Sequence, residues 1–182
     1  MKYIIIIYIL LVFSVISIAQ DGEKTPIHFA DKVILHSSYG YFPYSGDNDL
    51  VINIRYWDNQ VFLSINDNWL LGLNYNNVWT SDFFKNKLDF FRVGPIIKWQ
   101  ESAYDGDLIY YADISLNYGN FTINLQDEPE KRNLLFAGGC FGLDYRLVSK
   151  LFISGGARFS RQLEKGDYGL ELYPFVGFSF RY

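Results

Sequence analysis

The feature that most constrains this chain is a period-two alternation of side chains that runs from residue 32 to the C-terminus. Clusters of glycine, asparagine and aspartate interrupt the alternation about every dozen residues, a spacing typical of an up-and-down β protein. We predict eight strands, at residues 32–42, 50–63, 69–81, 88–100, 108–123, 133–146, 150–161 and 168–182.

Successive side chains of a strand point to opposite faces of its sheet, so each face has its own composition. One face has 44 positions, of which 40 are apolar or aromatic and none is charged. In the second predicted strand we assign Ile52, Ile54 and Tyr56 to this apolar face. The other face is rich in glycine and carries the charged residues Arg55, Arg92, Lys98, Asp113, Asp144, Arg158, Glu171 and Arg181.

The volume of the side chains decides which face points inward. Sixteen residues of the apolar face are Phe, Tyr or Trp, and an eight-stranded barrel has room inside only for ordinary side chains or one small ligand. We therefore expect the charged, glycine-rich face inside and the apolar face outside, which is tolerable only in lipid. A sheet that spans lipid must close, so the fold class is an all-β, eight-stranded antiparallel up-and-down transmembrane β-barrel. A soluble, lipocalin-like barrel with the faces reversed remains the alternative.

The N-terminus has the pattern of a secretory signal peptide. Met1-Lys2 is a basic start, residues 3–18 are almost entirely apolar, and Ala19 suits the last position before cleavage. The apolar run is slightly short for a membrane span, although an uncleaved anchor remains possible. We predict a cleaved signal peptide at residues 1–19, an N-terminal tail at residues 20–31 and the barrel at residues 32–182.

Composition excludes several other classes of protein. The 182 residues suffice for one domain, and a net charge of −4 gives no field to attract nucleic acid. One cysteine cannot form an intramolecular disulfide, and two histidines do not form a usual zinc site. We expect no cofactor, no metal and no nucleic-acid partner.

Amphipathic aromatic residues of the apolar face lie near the predicted strand ends. Such residues form belts at the two interfaces of a membrane. We predict one belt of Trp69, Trp99, Tyr145 and Tyr182 on the side of the short turns, and a second belt of Tyr39, Tyr41, Trp79 and Tyr118 toward the opposite rim.

The inward charges are expected to pair with each other. If residues 162–167 form a turn, Arg158 and Glu171 are directly opposite, and we predict an ion pair between them. A similar estimate brings Lys98 near Asp113, with Asp144 on the neighbouring strand. These pairs favour a structural plug of the interior; a gated ion path or a ligand-binding site is the alternative.

Three segments resemble a known family. They are the signal peptide, the strand at residues 93–99 followed by residues 116–119, and the final strand at residues 173–182. The chain resembles the small outer-membrane β-barrels of Gram-negative bacteria, of the OmpA/OmpX type, and within them the outer-membrane β-barrel domain family common in Bacteroidetes. The resemblance covers residues 32–182.

The resemblance implies a location and partners. It implies an outer-membrane protein with both termini in the periplasm and a structural or interaction role in the envelope. Phe178, Phe180 and Tyr182 match the C-terminal signal read by the barrel assembly machinery. Outer-membrane lipid, lipopolysaccharide and a larger outer-membrane complex are the other expected partners.

Some barrels of this type are enzymes that modify lipid A, so a catalytic site has to be considered. His36 and Ser38 are neighbours on the inward face, but such a site would be hidden from acyl chains and no catalytic motif accompanies them. We predict no catalytic residues and no enzymatic activity; a narrow transport or ligand-binding barrel is the alternative function.

Overall fold

The computed structural model describes residues 33–45, 51–80, 88–125, 128–163 and 170–182. The predicted signal peptide at residues 1–19 and the predicted tail at residues 20–31 lie outside the described residues. Within the described ranges, no helix is long and apolar enough to cross a membrane.

Eight antiparallel strands form among the described residues, as the alternation predicts. They are β1 (Val33–Ser45), β2 (Val51–Ser64), β3 (Trp69–Thr80), β4 (Leu88–Ala103), β5 (Leu108–Leu125), β6 (Glu128–Val148), β7 (Leu151–Gln162) and β8 (Leu170–Arg181). A single 3₁₀ turn, Tyr104–Gly106, joins β4 to β5. The strands between residues 33 and 181 thus begin and end within a few residues of their predicted bounds, except at one hairpin.

The exception is the hairpin of β5 and β6. We expect a connection at residues 124–132, but β5 continues to Leu125 and β6 begins at Glu128. The ladder is regular through this region, where Ile123 pairs with Glu130. Backbone pairing continues through these ends, so the strands extend beyond the apolar alternation that predicts the rest of them.

The sheet closes into a barrel because β1 pairs with both β2 and β8. The β1–β8 register runs from Ile34↔Arg181 to Gly40↔Phe175, and Val33 and Tyr182 exchange two backbone hydrogen bonds of 3.1 and 2.8 Å. Followed from Ile34 around all eight strands, the register returns to β1 about ten residues further on, which corresponds to a strand tilt of about 40°. We call the rim where Val33 and Tyr182 meet the termini end and the opposite rim the loop end.

The two faces of the barrel differ as the composition predicts. Large apolar side chains cover the exterior and are exposed, with Phe141 at 66% and Ile114 at 65%. The interior, or lumen, is filled instead by buried polar and charged side chains, among them Asp58, Asp144 and Arg158. This distribution is the reverse of a soluble barrel, so the lipocalin-like alternative does not describe this fold.

One strand contradicts the assignment of faces. In β2 the buried residues are Tyr56, Asp58, Gln60 and Phe62, so Arg55 faces outward beside its register partners Tyr41 and Trp79. The placement of Arg55 in the lumen and of Tyr56 on the exterior is therefore wrong. Ile54 and Tyr56 resemble lipid-facing residues in sequence, but they pack inside because the loop end of the lumen is itself apolar.

Candidate functional site

The lumen contains two apolar layers, one toward each end, with polar and charged side chains beside and between them. Near the termini end, Ile34, Phe62, Leu70 and Ile96 pack together and are buried. Near the loop end, the second layer consists of Tyr56, Val78, Leu134, Phe136 and Tyr173, with Ile54 packed against it. In this second layer the rings of Tyr56 and Tyr173 stack with their centroids 3.8 Å apart. Large buried apolar side chains therefore occupy part of the lumen toward both ends.

Asp144 is the centre of the charge cluster nearest the termini end. One of its carboxylate oxygens accepts hydrogen bonds from Arg181 Nη2 at 2.9 Å and Ser179 Oγ at 2.9 Å, and the other accepts from Ser154 Oγ at 2.6 Å. Arg181 also donates from Nη1 to Gln100 Oε1 at 2.9 Å. The three donors to Asp144 stabilise its ionised carboxylate, so Asp144 and Arg181 form a buried ion pair.

Arg158 joins two carboxylates in the middle of the lumen. It forms an ion pair with Asp58, and its Nη2 lies 3.5 Å from Asp113 Oδ2. Gln60 Nε2 donates to Asp58 at 3.2 Å, and the Cys140 thiol donates to Asp113 at 2.7 Å. The Arg158 guanidinium thus compensates the charges of two carboxylates that would otherwise repel each other inside the barrel.

Arg92 and Glu171 form the third cluster, next to the apolar layer at the loop end. Arg92 Nη2 donates to both carboxylate oxygens of Glu171 at 2.8 Å, and Arg92 Nη1 donates to Ser160 Oγ at 2.7 Å. The guanidinium also lies 4.1 Å from the centroid of the Phe136 ring. The pair joins β4 to β8 across the lumen rather than along one hairpin.

Lys98 is held differently from the three arginines. It is fully buried, and its Nζ lies 3.6 Å from the centroid of the Tyr111 ring and 5.2 Å from that of Phe62. Among the described residues, this Nζ has no hydrogen-bond partner. Lys98 is paired in register with Asp113, as we expect from the sequence, whereas Asp144 faces Ile109 and not Asp113.

The charges inside the described barrel balance. Apart from the pair of Arg146 and Asp107 at the rim, the side chains that the structure describes place four cations and four anions in the lumen. The cations are Arg92, Lys98, Arg158 and Arg181, and the anions are Asp58, Asp113, Asp144 and Glu171. A balanced interior lowers the electrostatic penalty of surrounding these groups with lipid.

The predicted ion pair between Arg158 and Glu171 is wrong. In the β7–β8 register Arg158 is opposite Tyr173, and Glu171 is opposite Ser160. The observed register pairs Arg158 with a residue two positions further along β8 than we estimate, which keeps both side chains inward but separates them along the barrel. Their actual partners come from strands across the lumen, Asp58 on β2 and Arg92 on β4.

Asp58 is the charged lumen residue that the sequence analysis missed. The apolar alternation of residues 50–56 assigns the even-numbered residues of β2 to the exterior, and Asp58 is one of them. The second half of the same strand carries the usable signal, because Val61 and Leu63 alternate with Gln60 and Asp58 in the opposite phase. Exposed Val61 and Leu63 and buried Asp58 and Gln60 have the inside–outside pattern of the other strands.

His36 and Ser38 both lie in the lumen and are buried. The His36 ring packs edge-on against Tyr111 and Phe175, with centroid distances of 6.0 and 6.1 Å. Neither residue reaches the lipid-facing surface, so this pair has no access to an acyl chain. No group of three or more His, Cys, Asp or Glu within the described ranges could hold a metal ion.

The aromatic residues of the two predicted belts lie on the exterior. At the termini end, Trp69 pairs in register with Trp99, and Tyr145 and Tyr182 are exposed. Toward the loop end, Tyr39, Tyr41 and Tyr118 are exposed, and Tyr39 packs near Trp79 with ring centroids 6.3 Å apart. In the final strand Phe178 is exposed, whereas Phe180 is covered and contacts the Tyr182 ring at 5.0 Å.

Solved structures of small membrane barrels share this architecture. The chain is similar to the N-terminal β-barrel domain of Pseudomonas aeruginosa OprF, with 15% identity, coverage of 83% of this chain and 98% of that one, and a TM-score of 0.63. It is similar to Neisserial surface protein A, with 9% identity, coverage of 82% and 96%, and a TM-score of 0.66. For outer membrane protein H of P. aeruginosa the identity is 16%, the coverage 83% and 99%, and the TM-score 0.60.

These likenesses establish the fold. The chain has the architecture of the small eight-stranded outer-membrane barrels of the OmpA/OmpX type, as its sequence resemblance implies. No protein-family model matches the sequence, and no curated protein does. The narrower resemblance to the Bacteroidetes family stays a prediction.

Proposed function

We propose that this chain is an integral protein of the outer membrane, with both termini in the periplasm and a structural or interaction role in the envelope. The observation that carries the proposal is a closed barrel with an apolar exterior and a charge-balanced, side-chain-filled interior. Lipid is the solvent that stabilises the exterior, and the interior serves to hold the barrel together.

The exterior supports the membrane location. In water, the barrel would expose a continuous surface of Leu, Ile, Val and Phe that includes every strand. This surface is far larger than the apolar patches of soluble monomers. All strands have a neighbour on both sides, so no edge is left unpaired in lipid. The structurally similar OprH and OprG are themselves outer membrane proteins of P. aeruginosa.

The interior supports a structural role rather than that of a pore. The stacked rings of Tyr56 and Tyr173 lie toward the loop end of the lumen, and the Phe62 ring lies toward the termini end. Beside and between these rings, the three arginine clusters join β2, β4, β5, β6, β7 and β8 across the lumen. An ion or solute would have to displace both apolar layers and break buried ion pairs to pass.

Biogenesis and partners follow from the same proposal. The signal peptide at residues 1–19 would direct secretion, and the terminal Phe178, Phe180 and Tyr182 would be read by the barrel assembly machinery. The aromatic belts would lie at the two membrane interfaces. Lipid, lipopolysaccharide and a larger outer-membrane complex are the proposed partners, and we propose no enzymatic activity.

Fractionation followed by a heat-modifiability gel tests the proposal. The full chain is expressed in a Gram-negative host, and the outer-membrane fraction is run with and without boiling. We expect the protein in that fraction and a faster-migrating band in the unboiled sample, because closed membrane barrels resist detergent until heated. A protein recovered soluble from the periplasm, or one without a mobility shift, would contradict the proposal.

Conductance in planar bilayers separates the structural role from transport. We expect no stable channel openings from the wild-type chain. A Phe62→Ala and Tyr173→Ala double variant, which removes one large ring from each apolar layer, is the control that shows whether conductance can be detected. Openings of the wild-type protein would favour the narrow transport barrel instead.

A further inference from the structure

An apolar groove of about 590 Å³ crosses the outside of the barrel over β3 to β8. Its lining reaches from Leu71, two residues from Trp69 near the termini end, to Leu163 and Leu170 at the loop end. The volume lies within the range of pockets that bind small molecules. Because the groove opens on the lipid-facing surface, the molecules that meet it in a membrane are lipids.

The groove follows from one small residue among large neighbours. Ala137 on β6 pairs with Leu116 on β5 and with Arg161 on β7, and Arg161 pairs in turn with Leu170. The methyl group of Ala137, between the two longer side chains of Leu116 and Arg161, leaves a notch. The Phe159 ring does not fill this notch, because it leans over Gly139, where a Cβ would lie 2.8 Å from its Cζ.

The register of the β4–β5 ladder is interrupted beside the same groove. Pairing is regular up to Val93↔Tyr118 and resumes at Ile96↔Ser115. Pro95 lies in this interval and lines the groove, and it has no N–H to donate to β5. Ile97 and Ile114 complete this wall, so the body of the groove is mainly apolar and suits hydrocarbon.

Arg161 gives the groove a charged end. It is exposed at the loop end of β7 and lines the groove. No ion pair joins it to an acidic residue in the part of the chain that the structure describes. A guanidinium binds phosphate through two parallel hydrogen bonds, which suits an amphipathic molecule with a phosphate above its hydrocarbon.

We propose that the groove binds one acyl chain of lipid A while Arg161 binds a phosphate of the same molecule. The choice of lipid A rests on the proposed function, because the loop end then lies in the outer leaflet, where lipopolysaccharide is the phosphate-bearing lipid. The site would hold this lipid at one fixed place on the barrel surface rather than as exchangeable solvent.

Native mass spectrometry of the purified full chain in detergent tests the site. The probes are diphosphorylated lipid A, dephosphorylated lipid A and phosphatidylglycerol. We expect Arg161→Gln to weaken binding of diphosphorylated lipid A about tenfold, because a charge-assisted contact is lost. It should leave binding of dephosphorylated lipid A unchanged. Ala137→Phe fills the notch and should weaken binding of both forms of lipid A.

Matched controls are available on the same surface. Arg55→Gln removes the outward arginine of β2, away from the groove, and should change binding less than about twofold. Ala157→Phe adds the same ring to an exposed position outside the groove lining and should have no effect. Each variant is first required to show the same heat-dependent mobility shift as the wild type.

The proposed lipid site can be overturned by several results of these experiments. Equal binding by Arg161→Gln and Arg55→Gln, or by Ala137→Phe and Ala157→Phe, overturns it, as does absence of binding by the wild type. Tighter binding of phosphatidylglycerol than of lipid A overturns the choice of lipid. If the wild type shows the mobility shift but each variant binds lipid A as well as its matched control does, the proposed lipid site is refuted. The proposed membrane barrel is then unaffected.

Discussion

The ion pair between Arg92 and Glu171 provides the sharpest test of how the lumen is assembled. Arg92 Nη2 donates to both Glu171 oxygens at 2.8 Å, and the two side chains are 3% and 15% exposed. Removing one partner of a buried pair costs about 3–5 kcal/mol, because the other charge is left uncompensated. Glu171 retains some solvent contact and glutamine keeps one acceptor, so we expect Glu171→Gln to lower the free energy of unfolding by about 2 kcal/mol.

A double-mutant cycle identifies the partner of Glu171. Combining Glu171→Gln with Arg92→Met should give a coupling energy of about 1.5–3 kcal/mol, the range for hydrogen bonds between charged groups. Combining it with Arg158→Met should give less than about 0.5 kcal/mol, since those two residues share no contact. The two cycles therefore distinguish pairing across the lumen from pairing along the β7–β8 hairpin.

The assay is urea unfolding of the full chain refolded into detergent micelles, followed by tryptophan fluorescence and by the mobility of the unboiled band. Glu101→Gln, which changes an exposed carboxylate at the far end of β4, is the control for loss of charge alone and should leave the midpoint unchanged. A coupling to Arg158 larger than the coupling to Arg92 would refute the register and the reasoning built on it.

Other substitutions test the remaining parts of the interior. Asp144→Asn should destabilise the barrel by about 3–5 kcal/mol, since it leaves a buried guanidinium uncompensated; urea unfolding against wild type measures this. Gly94→Ala should lower the yield of the heat-modifiable band, because a Cβ there would collide with the Leu116 carbonyl, whereas Gly155→Ala, whose Cβ would lie 3.8 Å from its nearest neighbour, should fold normally. Tyr173→Ala should cost about 3–5 kcal/mol through loss of the ring stacked at the loop end, and an unchanged urea midpoint would contradict the packed apolar layer.

Local pattern was sufficient for the strands and for most of their faces. Alternation is a property of neighbouring residues, so it identifies a strand such as β5 wherever lipid contacts one side. It also predicts that Lys98 faces Asp113, because the short turn between β4 and β5 leaves little freedom in their register. The alternation does not predict a strand at residues 124–132, because these residues lie beyond the apolar pattern.

The inward-facing and outward-facing residues of β2 could not be distinguished from the local sequence pattern alone. Tyr56 and Ile54 are as apolar as any lipid-facing residue, and Arg55 between them is charged. Only the surrounding barrel reveals that this end of the lumen is apolar and holds the Tyr173 ring against Tyr56. The exterior Arg55 is then tolerated because its position is level with Tyr41 and Trp79 near the rim.

The sequence by itself thus determined that the chain forms eight strands with an apolar exterior, since each of those properties is decided between adjacent residues. The tertiary structure alone decided which charges meet. Arg92 and Glu171 are 79 residues apart, and they meet because the stagger of the closed barrel brings β4 and β8 to the same level across the lumen. A register two residues different at one hairpin would change every such pair, and nothing in the local alternation distinguishes the two registers.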